Sequence, residues 1–199
     1  MSPQHRGEET RYRILKAAEE SFAQHGYDGT AVAQICHRAG VTKGAFYHHF
    51  PSKQALFLEL LNHWLAGLDA RLDTACAAEP TVPERLLCMA RMTQKVFRET
   101  SGQLPILLEF WSQAARDPIA WQATIAPYRR YRAFFAKMIE TGIAEGTLRP
   151  TDPQMASQVI VSLAVGLILQ ALLDPQGADW GQVTEESVRM ILQGLERKN

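Results

Sequence analysis

Bulk charge is the first thing this sequence lacks. Its 199 residues hold 21 Lys and Arg against 21 Asp and Glu, a formal net charge of zero. No general basic character therefore marks a nucleic-acid partner. Residues 1–60 are equally balanced, with Arg6, Arg11, Arg13, Lys16, Arg38, Lys43 and Lys53 against Glu8, Glu9, Glu19, Glu20, Asp28 and Glu59. Any basic surface has to come from the placement of a few cations. Cysteine is scarce. Cys36, Cys76 and Cys88 are far apart in sequence and form no paired motif, which reads as buried, reduced thiols in a cytosolic protein. Long apolar runs are missing: the longest, Val159 to Leu173, is short for a bilayer and carries Ser162 and Gln170, so no membrane partner is expected. The opening MSPQHRGEETR has no apolar segment of the kind a secretory signal needs.

Catalytic signatures are absent as well. There is no HExxH, no G-x-S-x-G and no phosphate-binding loop. His48 and His49 are adjacent, so on a helix they point about 100° apart and do not make the i, i+4 pair of a zinc site. A helical hydrolase or metalloenzyme is thus the weaker reading, and neither metal nor cofactor is expected. Period-two alternation bounded by hairpin turns is missing too, which excludes a sheet protein.

Helical periodicity fills the chain instead. Ile14, Ala18 and Phe22 recur every four residues in a first helix from about Thr10 to His25, closed by Gly26. Thr30 is placed to cap a short second helix whose inward residues are Val32, Ile35, Cys36 and Ala39. Gly40 ends it, Thr42 caps a very short third helix, KGAFYHH, and Pro51 blocks continuation. Ser52 opens a long fourth helix to about Ala77. Past the break at Glu79–Pro83 come helical blocks at 83–100, 104–116, 119–145, 153–173 and 183–197, with Pro127 expected to kink or restart the third of them.

Thr30 to Lys53 is the informative stretch. Two short helices joined by Ala39-Gly40-Val41 make a helix-turn-helix, and Gly40 suits a corner that needs positive φ. On the third helix Lys43 and Tyr47 lie one turn apart with Gly44 and His48 beside them, a polar or small arc. Phe46 and Phe50 form a separate apolar stripe that can anchor the helix to a body. Lys43 can donate to guanine O6 or N7, and Gly44 lets a backbone come close.

In AGVTKGAFYHHFPSKQALF, preceded by a helix ending in Gly-Tyr, the chain resembles the TetR family of transcriptional regulators. The family text is close to A-G-V-S-x-G-x-L/F-Y-x-H-F-x-S-K-E-x-L, and Gln54 stands where Glu is common. The resemblance implies an all-α protein. A three-helix DNA-binding domain over 1–51 is joined by the fourth helix to a ligand-binding and dimerisation domain over 52–199. It further implies that Thr30, Thr42, Tyr47, His49 and Lys53 touch phosphates and that Lys43, Gly44, Ala45 and His48 lie near base edges. On the wheel His49 falls toward Phe46, where capping or packing is an equal alternative.

Beyond residue 77 the segments LLEFWSQAARDP and PYRRYRAFFAKMIETGIAEGTLRP resemble the C-terminal domains of the betaine-synthesis repressor subgroup. An effector pocket is expected there. From the first block come Met89 and Met92; from the second, Leu107, Glu109, Phe110 and Trp111; from the third, Trp121, Tyr128, Tyr131, Phe134 and Met138. Met adapts and aromatic rings offer flat faces, although residues of these types at helical spacing also build ordinary cores. Glu109 could orient a cationic ligand or pair with an arginine. The cluster Arg129, Arg130 and Arg132 reads as a solvated face. Residues 156–173 are apolar around much of a helix, and Val183, Val188, Ile191, Leu192 and Leu195 give the last helix its own stripe. Both are expected in a homodimer interface, with Ala164 and Gly166 allowing close approach. The expected function is a regulator that binds double-stranded operator DNA in the cytoplasm, most simply a repressor released by a small molecule; an activator of the same fold is the alternative.

Overall fold

The computed structural model describes residues 3–99, 108, 111–112, 115 and 117–195. Among them every regular element is helical: α1 (Pro3–His25), α2 (Val32–Ala39), α3 (Lys43–His49), α4 (Lys53–Cys76), α5 (Val82–Glu99), α6 (Pro118–Ala144), α7 (Pro153–Leu173) and α8 (Trp180–Leu195). The chain divides into two compact units, 1–67 with 102–124 and 68–101 with 125–199. The expected α-helical class is what forms.

Helix boundaries follow the capping chemistry in most places. Thr42 accepts the Ala45 N–H at 3.1 Å and Ser52 accepts the Ala55 N–H at 3.0 Å, so both cap as expected. At α5 the Thr81 hydroxyl and the Glu84 carboxylate bond to each other's backbone N–H, a reciprocal capping box. Two boundaries differ from expectation. α1 starts at Pro3, because Thr10 is not a cap: its hydroxyl donates back to the Arg6 carbonyl at 2.8 Å, as a mid-helix threonine does. α2 is capped by Ala31 rather than Thr30, with the Gln34 side chain accepting the Ala31 N–H at 2.7 Å. α6 runs through Pro127 without a break in its assignment.

In the first unit Ile14, Ala18, Phe22, Ile35, Phe46, Phe50, Leu56 and Phe57 are buried together. Phe22 meets Phe57 edge-on at 5.2 Å between centroids, and Tyr27 lies 4.5 Å from the Phe57 ring. Gln54, the departure from the family text, donates to the Asp117 carboxylate. A glutamate there would set two like charges against each other, which gives the substitution a local reason.

The second unit has its own core of Val82, Leu86, Ile139, Leu148, Ala156 and Leu192, with Phe135, Met138, Ile160, Val188 and Leu195 packed against it. This corrects the expected role of the last helix. Val188, Leu192 and Leu195 face their own subunit, so the stripe read as an interface is core. α7 is 21 residues long with a mean hydropathy of 2.1 in its most apolar window, and only 28% of that window is buried. By length and composition it could cross a membrane. It begins at Pro153, before the apolar run read from the sequence. Ala156, Val161, Leu167 and Ala171 face inward, while Met155 (62% exposed), Val159 and Leu173 do not.

A further correction concerns the thiols. Cys76 and Cys88, distant in sequence, are disulfide-bonded with Cα atoms 5.8 Å apart, and Cys36 alone is a free buried cysteine.

Candidate nucleic-acid interface

Gly40 turns the corner of the helix-turn-helix. It adopts φ 63° and ψ 41°, and the Val41 N–H then reaches the Cys36 carbonyl at 3.0 Å. Left-handed backbone is costly for any residue with a Cβ, so glycine at this position fixes the angle at which α3 leaves α2. α3 spans only Lys43–His49, too short to persist alone. Its stability comes from Phe46 and Phe50, 0% and 1% exposed, which pin one side of it to the unit's core.

The opposite side is open. Lys43, Gly44 and His48 are exposed, and Tyr47 presents 53% of its surface to solvent. Lys43 makes no hydrogen bond or ion pair among the described residues. A Cβ built on Gly44 would meet only the Thr42 hydroxyl, 3.8 Å away. Nothing inside the fold requires a glycine there, so the space it leaves serves an outside partner. The sequence placed Lys43, Gly44, Tyr47 and His48 on one arc, and the structure brings them together on one solvent-facing surface.

The other expected contacts separate. Thr42 is exposed, although its oxygen is occupied as a cap. Ala45 is half-buried. Thr30 is 1% exposed, and its hydroxyl donates to the Gly26 carbonyl at 2.7 Å. It locks the end of α1 and has no open path to a phosphate in this conformation. His49 is half-buried beside α1, its ring 4.0 Å from the place of a Gly7 Cβ. Burial, followed by the charges of His48 and Arg11, lowers its pKa below the ordinary 6.5. The ring is therefore neutral at pH 7 and offers a neutral N–H at most.

Lys53 is the residue whose internal role the sequence did not disclose. Its ammonium donates to the Tyr27 carbonyl at 2.7 Å and the Thr30 carbonyl at 3.0 Å, and it lies 4.1 Å from the centre of the Tyr27 ring. It ties the start of α4 to the turn before α2. An ammonium has three donors, so one remains for a phosphate. Removing this tie has a predicted cost. Lys53→Met keeps the aliphatic stem and strips the charge from two carbonyls, so DNA-free protein should lose about 1.5–3 kcal/mol of stability. Chemical denaturation checks this; an unchanged midpoint would show the tie to be idle.

Arg11 supports the interface from behind. It pairs with Glu59 and lies 5.2 Å from the centre of the Phe50 ring. Burial pushes the Cys36 thiol above its ordinary value, offset in part by Lys43, so it behaves as a core residue.

Of the expected effector residues, Leu107, Glu109 and Phe110 lie outside the described residues. Met89 is 8% exposed, Met138 packs on the second unit's core, and Tyr128 and Tyr131 are half-buried. Trp121 and Phe134 are 42% and 38% exposed. A groove of about 460 Å³ in the second unit is lined by Arg129, Arg132, Lys137, Glu140, Gln154 and Gln158, none of them among the expected pocket residues.

Known proteins match in the same two parts. Residues 14–60 fit the family of bacterial regulatory proteins called tetR, and residues 84–195 fit the C-terminal domain of BetI-type transcriptional repressors. The HTH-type transcriptional regulator YhgD of Bacillus subtilis is 32% identical over 157 residues, 78% of this chain and 80% of its own. The HTH-type transcriptional repressor AcnR of Corynebacterium efficiens is 37% identical over 109 residues, 55% of this chain and 53% of its own. Among solved structures, a transcriptional regulator of Saccharomonospora viridis in complex with choline superposes with a TM-score of 0.80 at 22% identity, covering 96% of this chain and 100% of that one. FadR of Bacillus subtilis in complex with stearoyl-CoA also gives 0.80, at 19% identity, covering 92% and 98%. At these identities the two structures establish a shared fold.

Proposed function

The chain belongs to the TetR family of DNA-binding transcriptional regulators, and from that premise we propose that it is a cytoplasmic homodimeric repressor whose α3 enters the major groove of its operator and leaves it when a small effector binds. The observation that carries this reading is the division of α3 into a buried stripe, Phe46 and Phe50, and an open arc of Lys43, Gly44, Tyr47 and His48. Residues 1–51 form the reading part and residues 52–199 the regulatory part.

Each side chain on the arc has a task its chemistry suits. Lys43 donates to guanine O6 or N7, and Gly44 and Ala45 let the backbone approach the base edges. His48 lies beside them. Tyr47 sets its hydroxyl on a phosphate, as do the exposed end of Thr42 and the remaining N–H of Lys53. Thr30 and His49 hold the scaffold.

One such helix has too little surface for specific binding, so the reader works as a two-fold pair. The unused stripe of α7, Met155, Val159 and Leu173, together with Met190 of α8, 71% exposed, supplies the self-complementary face. Two-fold symmetry then presents the reading helices to half-sites roughly 34–36 Å apart on one side of the duplex.

Effector control needs a difference in affinity. A ligand held by residues from 84–195, with Met89, Met92, Trp111, Tyr128 and Tyr131 as lining, must bind the DNA-incompetent arrangement more tightly, or it shifts nothing. Linkage makes the effect reciprocal. A thermal-shift screen that includes choline and stearoyl-CoA, the ligands of the two fold neighbours, finds candidates. A compound that raises the melting temperature is expected to weaken operator binding in fluorescence anisotropy by about 5–150-fold. Compounds that stabilise the protein yet leave the operator affinity unchanged would remove the release mechanism.

A further inference from the structure

The corner between α4 and α5 gathers three sulfur atoms. Cys76 is the last residue of α4, and Cys88 lies in the second turn of α5, with Cα atoms 5.8 Å apart. The Met92 Sδ lies 3.7 Å from the Cys76 Sγ. The two cysteines differ in access. Cys76 is 2% exposed, while Cys88 is half-buried, its sulfur 3.8 Å from the Ala75 carbonyl oxygen.

This bond is not needed to build the unit. The core around Ile139 and Leu148 is complete without it, and the Thr81–Glu84 capping box already starts α5. Structural disulfides belong to small domains that lack such a core and to oxidising compartments. A pair with one sulfur open and its partner enclosed beside it has the layout of a sensor, in which the open thiol is oxidised first and the enclosed one resolves the product. Cys36 does not compete, being buried in the other unit with its thiol held protonated.

We propose that Cys76 and Cys88 form a reversible modification site, a dithiol closed by peroxide-class oxidants and reopened by cellular thiol reductants, which clamps the α4–α5 corner when oxidised. The Cys88 thiolate attacks a peroxide oxygen and takes up that oxygen as the sulfenic acid, and the other peroxide oxygen leaves as water. The Cys76 thiolate then attacks the Cys88 sulfur and forms the S–S bond, and the sulfenic oxygen leaves as a second water. Two thiols and one hydrogen peroxide thus give one disulfide and two waters, with two electrons passing from sulfur to oxygen. A thiol reductant reverses this by exchange and is itself oxidised to a disulfide.

The test uses the full chain, reduced with dithiothreitol, desalted and exposed to stoichiometric hydrogen peroxide. It is then denatured in N-ethylmaleimide and weighed. Reduced protein takes an adduct on every cysteine. Oxidised protein should take one, on Cys36, with its own mass lower by about 2 Da and a peptide linking Cys76 to Cys88. Cys36→Ser should close the same link. Cys76→Ser should stop at a Cys88 sulfenic acid that dimedone captures, and Cys88→Ser should give neither product. Oxidised wild type should melt about 5 °C above the reduced protein, a gap that dithiothreitol erases and Cys76→Ser lacks. Full adduct counts after peroxide, a link made through Cys36, or equal melting of the two forms would overturn the proposal. Operator binding by the reduced protein is measured on the same samples. Its failure would count against the DNA-binding reading and leave the dithiol chemistry standing.

Discussion

Lys43→Ala combined with Tyr47→Ala is expected to abolish specific operator binding while leaving the fold intact. Both side chains are exposed, and neither contributes to the buried stripe of α3, so the cost to stability should stay within about 0.5 kcal/mol. The cost to binding is much larger. A base-edge contact from Lys43 is worth about 1–3 kcal/mol of discrimination, and it occurs twice in a symmetric complex. Tyr47 adds a phosphate contact on each half-site. The sum is at least about 3 kcal/mol, a loss of more than about a hundredfold. Anisotropy titration of a labelled promoter fragment against a scrambled one reads both the loss and its sequence dependence. Lys43→Ala alone should compress the ratio of specific to non-specific affinity, and Tyr47→Ala alone should weaken both together. Circular dichroism and melting should match wild type.

Disrupting the exposed stripe of α7 gives the second large effect. Val159→Glu with Met190→Glu places carboxylates on two apolar surfaces that are 46% and 71% exposed in a single chain. In the isolated subunit these carboxylates stay hydrated, so folding is spared. In the dimer four of them have to be desolvated around a two-fold axis, at several kcal/mol each. Light scattering should report a monomer at concentrations where wild type is dimeric. Operator binding should fall by about 10²–10⁴, because each half-site is then engaged without the effective concentration its partner supplies. A variant that stays dimeric would move the interface elsewhere.

Much of the reading unit was legible in the sequence because its devices are local. Gly40 signals a left-handed corner by its lack of a Cβ, Thr42 and Ser52 mark helix starts, and the i, i+4 spacing of Phe46 and Phe50 separates a buried side from an open one. What escaped was decided by distant partners. Lys53 looks like a phosphate ligand on a helical wheel, and only the approach of the Tyr27 and Thr30 carbonyls makes it a tie. Thr30 has the chemistry of a cap, but the end of α1 claims its hydroxyl. The stripe of α8 has the periodicity of an interface and of a core alike, and its packing with α5 decides for core. The Cys76–Cys88 bond could not be read from a spacing of 12, because the short turn between α4 and α5 brings the sulfurs together.

Methylation interference on the operator tests the account most directly. If α3 reads the major groove twice, guanines methylated at N7 should block wild-type binding in two symmetric patches about one helical turn apart, and methylation at minor-groove adenine N3 should be tolerated there. Interference confined to the minor groove, or to a single patch, would contradict it.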